Sequence, residues 1–180
     1  TECPTNLGTG LRASVMLHLP ALENSGEIEE LANSIAKIGF TVRGMYGEGS
    51  KSAAALYQVS NQVTLGLSEK NALENLNIIT TQLMEKELES RKKIDTISLE
   101  DICFRALATL QSARILTSSE MMQLISRVKL GQSMGILEIE ALPIKILVEA
   151  QPFMLMQKYG ILEPNDRDIY RANMVREAFG

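Results

Sequence analysis

Cys3-Pro4-Thr5-Asn6-Leu7-Gly8-Thr9-Gly10-Leu11-Arg12, followed at once by Ala13-Ser14-Val15-Met16-Leu17-His18-Leu19-Pro20, is the stretch on which the reading of this chain turns. Its first half places a sulfur, a turn-forming Pro and Asn, two glycines and an arginine immediately before an apolar pattern. Its second half alternates: Leu11, Ala13, Val15, Leu17 and Leu19 fall on one side of an extended chain, and Pro20 ends it. A tight turn feeding a half-buried strand can present a thiolate and a guanidinium from a close-fitting backbone. Anion handling and phosphoryl transfer require that arrangement.

After Pro20, Ile28, Leu31, Ile35 and Ile38 recur at helical spacing and predict a helix over 25–38, stopped by Gly39. Phe40-Thr41-Val42-Arg43 reads as a short strand running into Gly44-Met45-Tyr46-Gly47-Glu48-Gly49-Ser50, a loop because of its glycines. Ala55 to Thr64 alternates again and predicts a further strand. Ser68 is placed to cap a long helix with the stripe Ala72, Leu76, Ile79 and Leu83, reaching about Lys93. Near Asp95 the composition changes, and strand patterns end. Ser98 with Asp101 and Thr117 with Glu120 have capping-box spacing. Gly131 and Gly135 are expected to separate short helices, Pro143 and Pro152 to start or bend others, and a last helix to follow Pro164-Asn165-Asp166. The fold class expected is therefore α+β: a mixed unit over 1–95, then a small all-helical unit over 96–180.

At 180 residues, the chain can build one good core or two small ones. Aliphatic residues dominate and tryptophan is absent, which favours helices filled with Leu, Ile, Ala and Met. The formal net charge of -4, with signs interspersed, gives no basic stripe, so no nucleic-acid partner is expected. Two cysteines do not make a disulfide framework, and a reducing cytoplasm is the simple reading. No apolar run approaches the roughly 20 residues of a membrane span. The chain opens on Thr1 rather than Met, and the expectation is a portion of a longer protein.

Several residues bear chemistry, each with a plainer alternative. Arg12 and Arg43 each lie beside a strand; planar, permanently charged donors suit phosphate, but arginines also simply end strands at the surface. Glu48 lies among Gly47, Gly49 and Ser50, where it could orient or deprotonate a guanidinium or be an ordinary loop acid. Cys3 is either an activated thiolate or a small buried hydrophobe, and Cys103, on a helical stripe, is read as the latter. His18 has no metal-ligand spacing around it and is read as structural; no metal ligands are assigned. In Arg167-Asp168-Ile169-Tyr170-Arg171-Ala172, helical spacing puts Arg167 and Arg171 on one face and lets Asp168 pair with Arg171. That is either a pocket for a phosphorylated guanidinium or a solvated charged face.

Taken together and in order, these segments resemble the phosphagen (ATP:guanidino) kinases. Cys3-Pro4-Thr5-Asn6-Leu7-Gly8-Thr9 matches that family's cysteine signature, and Arg12-Ala13-Ser14-Val15 looks like its ATP-contacting strand. Arg43-Gly44-Met45-Tyr46-Gly47-Glu48 is similar to its second arginine segment and substrate loop. Ser60-Asn61 and Leu65-Gly66-Leu67-Ser68-Glu69 resemble the strand and helix start that close the domain. The likeness covers roughly 1–93 and implies part of an antiparallel-sheet catalytic domain. The helical continuation, with an RDxxRA motif at Arg167 to Ala172, resembles the bacterial protein-arginine kinase branch.

The resemblance implies ATP and Mg²⁺, with Arg12 and Arg43 on the phosphates. Ala13, Ser14, Val15, Met16, Gly44, Met45, Tyr46, Gly47 and Glu48 would line the nucleotide site. Glu48 would hold the guanidinium, and Cys3 would sit against it. Arg167, Asp168, Ile169, Tyr170, Arg171 and Ala172 would form an allosteric phosphoarginine pocket on a dimerising helical domain. Met16 stands where small-guanidine kinases usually carry a histidine, and Tyr46 where they often carry a small or basic residue. The expected partners are substrate proteins, an activator protein and a Clp-type protease during stress. The family's other arginines and second acid lie upstream of the signature, so the chain alone is expected to be inactive. Two rival functions remain: a phosphoarginine-binding module without catalysis, and a kinase for a free small guanidine.

Overall fold

The computed structural model describes residues 7–45, 52–160 and 163–180, in two units, Thr1–Ile94 and Asp95–Gly180. The roles expected of Cys3, Tyr46, Gly47 and Glu48 fall outside the described residues.

In the first unit the chain runs β1 (Ser14–His18), α1 (Pro20–Ser25), α2 (Glu27–Ala36), β2 (Phe40–Gly44), β3 (Leu56–Asn61) and α3 (Glu69–Arg91). The three strands form one antiparallel sheet in the order β1-β3-β2. One sheet face and the apolar stripe of α3 enclose the core, which includes Leu17, Leu22, Ile35, Phe40, Tyr57, Val59, Leu76 and Leu83. Each such side chain, fully buried, contributes about 1.5–3 kcal/mol.

The strand expected over 11–19 is shorter because its ends find other partners. Ala13 N–H donates to the Asn61 side chain and Leu19 N–H to Ala55 O. Pro20 ends β1, as expected, and also opens α1 from its first turn, where a missing N–H costs nothing. Gly26, with φ +76°, then separates α1 from α2, so the helix expected from residue 25 begins at Glu27. Ile38 falls beyond that helix and is exposed rather than part of its buried stripe. β3 stops at Asn61, short of the expected Thr64, where the chain turns back towards residues 7–13.

Ser68 caps α3 as its sequence predicts, accepting from Asn71 N–H at 3.2 Å. On the same helix Glu87, only 3% exposed, meets the start of α1. Its Oε2 accepts from Leu22 N–H at 3.0 Å, both carboxylate oxygens lie 3.2 Å from Ala21 N, and Arg91 Nε donates to Oε1 at 2.7 Å. The residue before Pro20 offers no capping side chain, so an acid from a distant helix satisfies the orphan N–H groups of α1.

The second unit contains α4 (Thr96–Ser112), α5 (Ser118–Ser133), α6 (Pro143–Glu149), α7 (Pro152–Tyr159) and α8 (Pro164–Phe179). Pro143, Pro152 and Pro164 each stand in a helix's first turn. Thr117 caps α5 through Glu120 N–H. The cap of α4 is not the Ser98–Asp101 pair; Asp95, three residues earlier, accepts from Ser98 N–H at 2.9 Å. Gly131 does not separate helices but lies inside α5. A Cβ there would sit 2.9 Å from Cys103 Sγ, so the glycine permits close approach of α4. Cys103 is buried, as its stripe position implies.

Replacing Glu87 by alanine removes its ion pair with Arg91 and leaves the Ala21 and Leu22 N–H groups without this acceptor, and should destabilise the first unit by about 3–5 kcal/mol. Chemical denaturation giving a change under about 1 kcal/mol would exclude the capping role. A pH effect follows from Glu23, whose carboxyl accepts from Tyr57 Oη at 2.5 Å. Burial raises the Glu23 pKa and the tyrosine hydrogen bond only partly offsets it. A raised acid strengthens folding below its unfolded value, 4.5, and that contribution is lost as pH rises through the folded value. Glu23→Gln keeps an acceptor for Tyr57, so it should flatten Tm against pH just above 4.5 without lowering Tm at pH 7. Calorimetry across that window checks it.

Candidate functional site

Side chains directly opposite one another on paired strands share a face. Leu17 faces Tyr57, and Val15 faces Val59 with Val42 beyond it, which makes the inner, apolar face. The outer face carries two cross-strand rows. Ser14, Ser60 and Thr41 form one; Met16, Gln58 and Arg43 form the next. Gln58 Nε2 donates to Ser14 Oγ at 3.1 Å and links the rows.

Arg12 stands two residues before β1, and its Nη2 lies 3.5 Å from Ser60 Oγ. Ser60 and Gln58 are two residues apart on β3, so the anchor points of Arg12 and Arg43 lie about 7 Å apart along the strand direction. Both arginines are exposed and both serve the face opposite the core. Of the residues expected to line this site, Ser14 and Met16 share that outer face, whereas Ala13 packs against the core and Val15, paired with Val59, lies on the opposite side of the sheet and is partly exposed at its edge. Gly44 ends β2, and the next residue, Met45, donates its N–H to Leu56 O at 2.8 Å. Ser52 Oγ accepts from Leu56 N–H at 2.8 Å, so both sides of the 46–51 segment are tied to the start of β3.

The turn before β1 is held by the segment after β3. Thr64 Oγ1 donates to Leu7 O at 2.6 Å, and Thr9 N–H donates to Thr64 O at 3.2 Å. Gly8, with φ +75°, passes so close that a Cβ would lie 2.2 Å from Thr64 O. Glycine is required there by both conformation and space. Sequence reasoning left Gln58 and Thr41 unassigned; their signal was the polar side of an alternating strand. His18 is half-buried in β1.

Comparison with known proteins bears on this same stretch. Residues 1–90 match the family model described as ATP:guanido phosphotransferase, C-terminal catalytic domain. Residues 96–180 match Protein-arginine kinase McsB C-terminal domain. This chain belongs to the ATP:guanido phosphotransferase family. Curated relatives named Protein-arginine kinase include one from Clostridium kluyveri, 48% identical over 183 residues, covering 98% of this chain and 53% of the relative. Another, from Caldanaerobacter subterraneus subsp. tengcongensis, is 43% identical over 180 residues, covering 97% and 53%. A third, from Bacillus subtilis, is 45% identical over 185 residues, covering 98% and 50%. The chain spans about half the length of the curated relatives it matches. Among the described residues, no helix is long and apolar enough to cross a membrane.

The RDxxRA segment opens α8, where Asp168 pairs with Arg171 as their spacing predicts, but Arg171 lies inside the unit rather than on a solvated face. Arg171 is 1% exposed, with Nε donating to Ala150 O at 3.0 Å and Nη1 to Leu116 O at 2.9 Å and to Asp168 Oδ1. Its guanidinium ties α8 to the end of α6 and to the α4–α5 connection. Arg167 stays half-buried, Ala172 is buried, and Ile169 and Tyr170 are exposed. Tyr170 stacks on Tyr159 with ring centroids 4.7 Å apart, and Lys158 Nζ lies 5.2 Å from the centre of the Tyr159 ring.

Arg171→Ala leaves Asp168 and two carbonyls unpaired and should destabilise the helical unit by about 3–5 kcal/mol, with Arg171→Lys recovering only part because an ammonium cannot reproduce the fork. Unfolding monitored by circular dichroism at an unchanged midpoint for the alanine variant would contradict this.

Proposed function

We propose that this chain is the C-terminal half of an ATP-dependent protein-arginine kinase. What carries the reading is the pairing of Arg12 and Arg43 on one outer face of the sheet, with Ser14, Gln58, Ser60 and Thr41 between them. Transfer of a γ-phosphoryl demands positioning and neutralisation of charge more than covalent chemistry. Two guanidinium groups supply that, each binding phosphate oxygens in its planar fork. They stabilise the charge spread over the equatorial oxygens as the bond to ADP breaks and the bond to the acceptor nitrogen forms.

Glu48 orients the substrate guanidinium and takes its proton, Cys3 sits against that group, and Tyr46 and Gly47 complete the nucleotide site with Ala13 to Met16 and Gly44 to Met45. Mg²⁺, when bound with the nucleotide, would neutralise part of the phosphate charge. Among the described residues no group of three or more His, Cys, Asp or Glu side chains could hold a metal ion. The acceptor is an arginine side chain of a protein. By the same reading, the start of α8 recognises phosphoarginine, the helical unit dimerises, and the mark leads to Clp-type degradation with an activator protein in the cytoplasm. The remaining arginines and a second acid come from the other half, so the 180-residue chain alone lacks turnover.

ATP-dependent phosphoarginine formation on a protein substrate tests this, comparing the chain alone with the full-length protein. Arg12→Ala and Arg43→Ala in the full-length protein should each lower kcat/KM about 10²–10³-fold. Unimpaired phosphorylation by either variant, or preference for free arginine over protein, would reject the assignment. Strong turnover by the chain alone would reject the division of labour between the halves.

A further inference from the structure

The side chain of Asn61 is 2% exposed, at the end of β3, and faces away from the outer rows. Its Oδ1 accepts from Ala13 N–H at 2.8 Å, and its Nδ2 donates to Leu11 O at 2.9 Å and to Val63 O at 3.3 Å. Leu11 and Ala13 are the two neighbours of Arg12. A carboxamide presents one acceptor and a two-proton donor in a plane, much as a peptide group does. It therefore pairs with the main chain on both sides of residue 12, just where the β1 ladder has stopped. Asn61 N–H adds a bond to Ala13 O at 3.3 Å. The preceding residue, Ser60, faces the other way and accepts from the Arg12 guanidinium. Two consecutive residues of one strand thus hold one arginine, the first by its head and the second by its backbone.

We propose that Asn61 is a positioning residue for phosphoryl transfer, clamping the main chain around Arg12 so that its guanidinium meets the nucleotide in one orientation. This rests on the reading of Arg12 as a phosphate ligand. Its force comes from geometry: a misplacement of about 1 Å in a group that stabilises a transition state can cost about 10²-fold in rate. An apolar residue at 61 would leave Ala13 N–H and Leu11 O without these partners and free the segment to move.

The test is a double-mutant cycle on Mg²⁺-ATP affinity, read by calorimetry in the full-length kinase. Arg12→Ala should weaken binding, and Asn61→Ala should weaken it about tenfold in the native background. In the Arg12→Ala background, Asn61→Ala should change affinity little, because the residue it positions is gone. Exchange of the Ala13 amide should also quicken in Asn61→Ala. Asn61→Ser, run in parallel, serves if the alanine variant does not fold. Equal fold-losses in both backgrounds, or an Ala13 amide as protected as before, would overturn the positioning role. An Arg12→Ala variant that binds ATP normally would remove the phosphate reading itself, and this inference with it.

Discussion

The pairing of β3 with β1 on one edge and β2 on the other sorts the side chains of the first unit into two environments. Because successive residues of a strand point to opposite faces, the registers Ser14↔Ser60↔Thr41 and Met16↔Gln58↔Arg43 place a polar row beside a mixed one. Of the residues between them, Val59 is buried in the core and Val42 packs against it. A slip of one residue would send Tyr57 and Val59 to the outer face and Gln58 and Ser60 inward. The anchor points of the two arginines are therefore fixed by the same hydrogen bonds that bury the core.

Hydrogen bonds from buried polar side chains finish what the ladder begins. Asn61 and Thr64 bind the turn before β1, Glu87 closes the start of α1, and Arg171 closes the junctions around α8. Each reaches main-chain groups that have no ladder or intrahelical partner. An unpaired buried amide or carbonyl costs about 1–3 kcal/mol, so a side chain that satisfies two or three of them also fixes where those segments lie. In the helical unit, Gly131 acts by subtraction: with no Cβ, it lets α5 approach Cys103 on α4.

Much of the architecture was legible because local rules and tertiary demands agree. Ser68 and Thr117 cap the helices their spacing predicts, the stripe Ala72–Leu76–Ile79–Leu83 is buried, and the prolines open helices. Two of the misreadings arose where a distant partner overrode local pattern. The alternation from Leu11 continues past the end of the ladder because Asn61 takes the place of a strand partner. Spacing alone leaves Arg171 either in a pocket or on a solvated charged face, and three acceptors from different segments draw it inside.

Order and chemistry are written in the chain itself. The cysteine signature, the two arginine segments and the RDxxRA motif point to the family without coordinates, because they fall in its order along the chain. Only the folded sheet decided that Arg12 and Arg43 serve one face, and that Asn61 supports the first of them from behind. Those facts depend on register between separate strands, whose paired residues run from Gly44↔Tyr57 to Ser14↔Ser60, and no periodicity within a single segment encodes which partner a strand will choose.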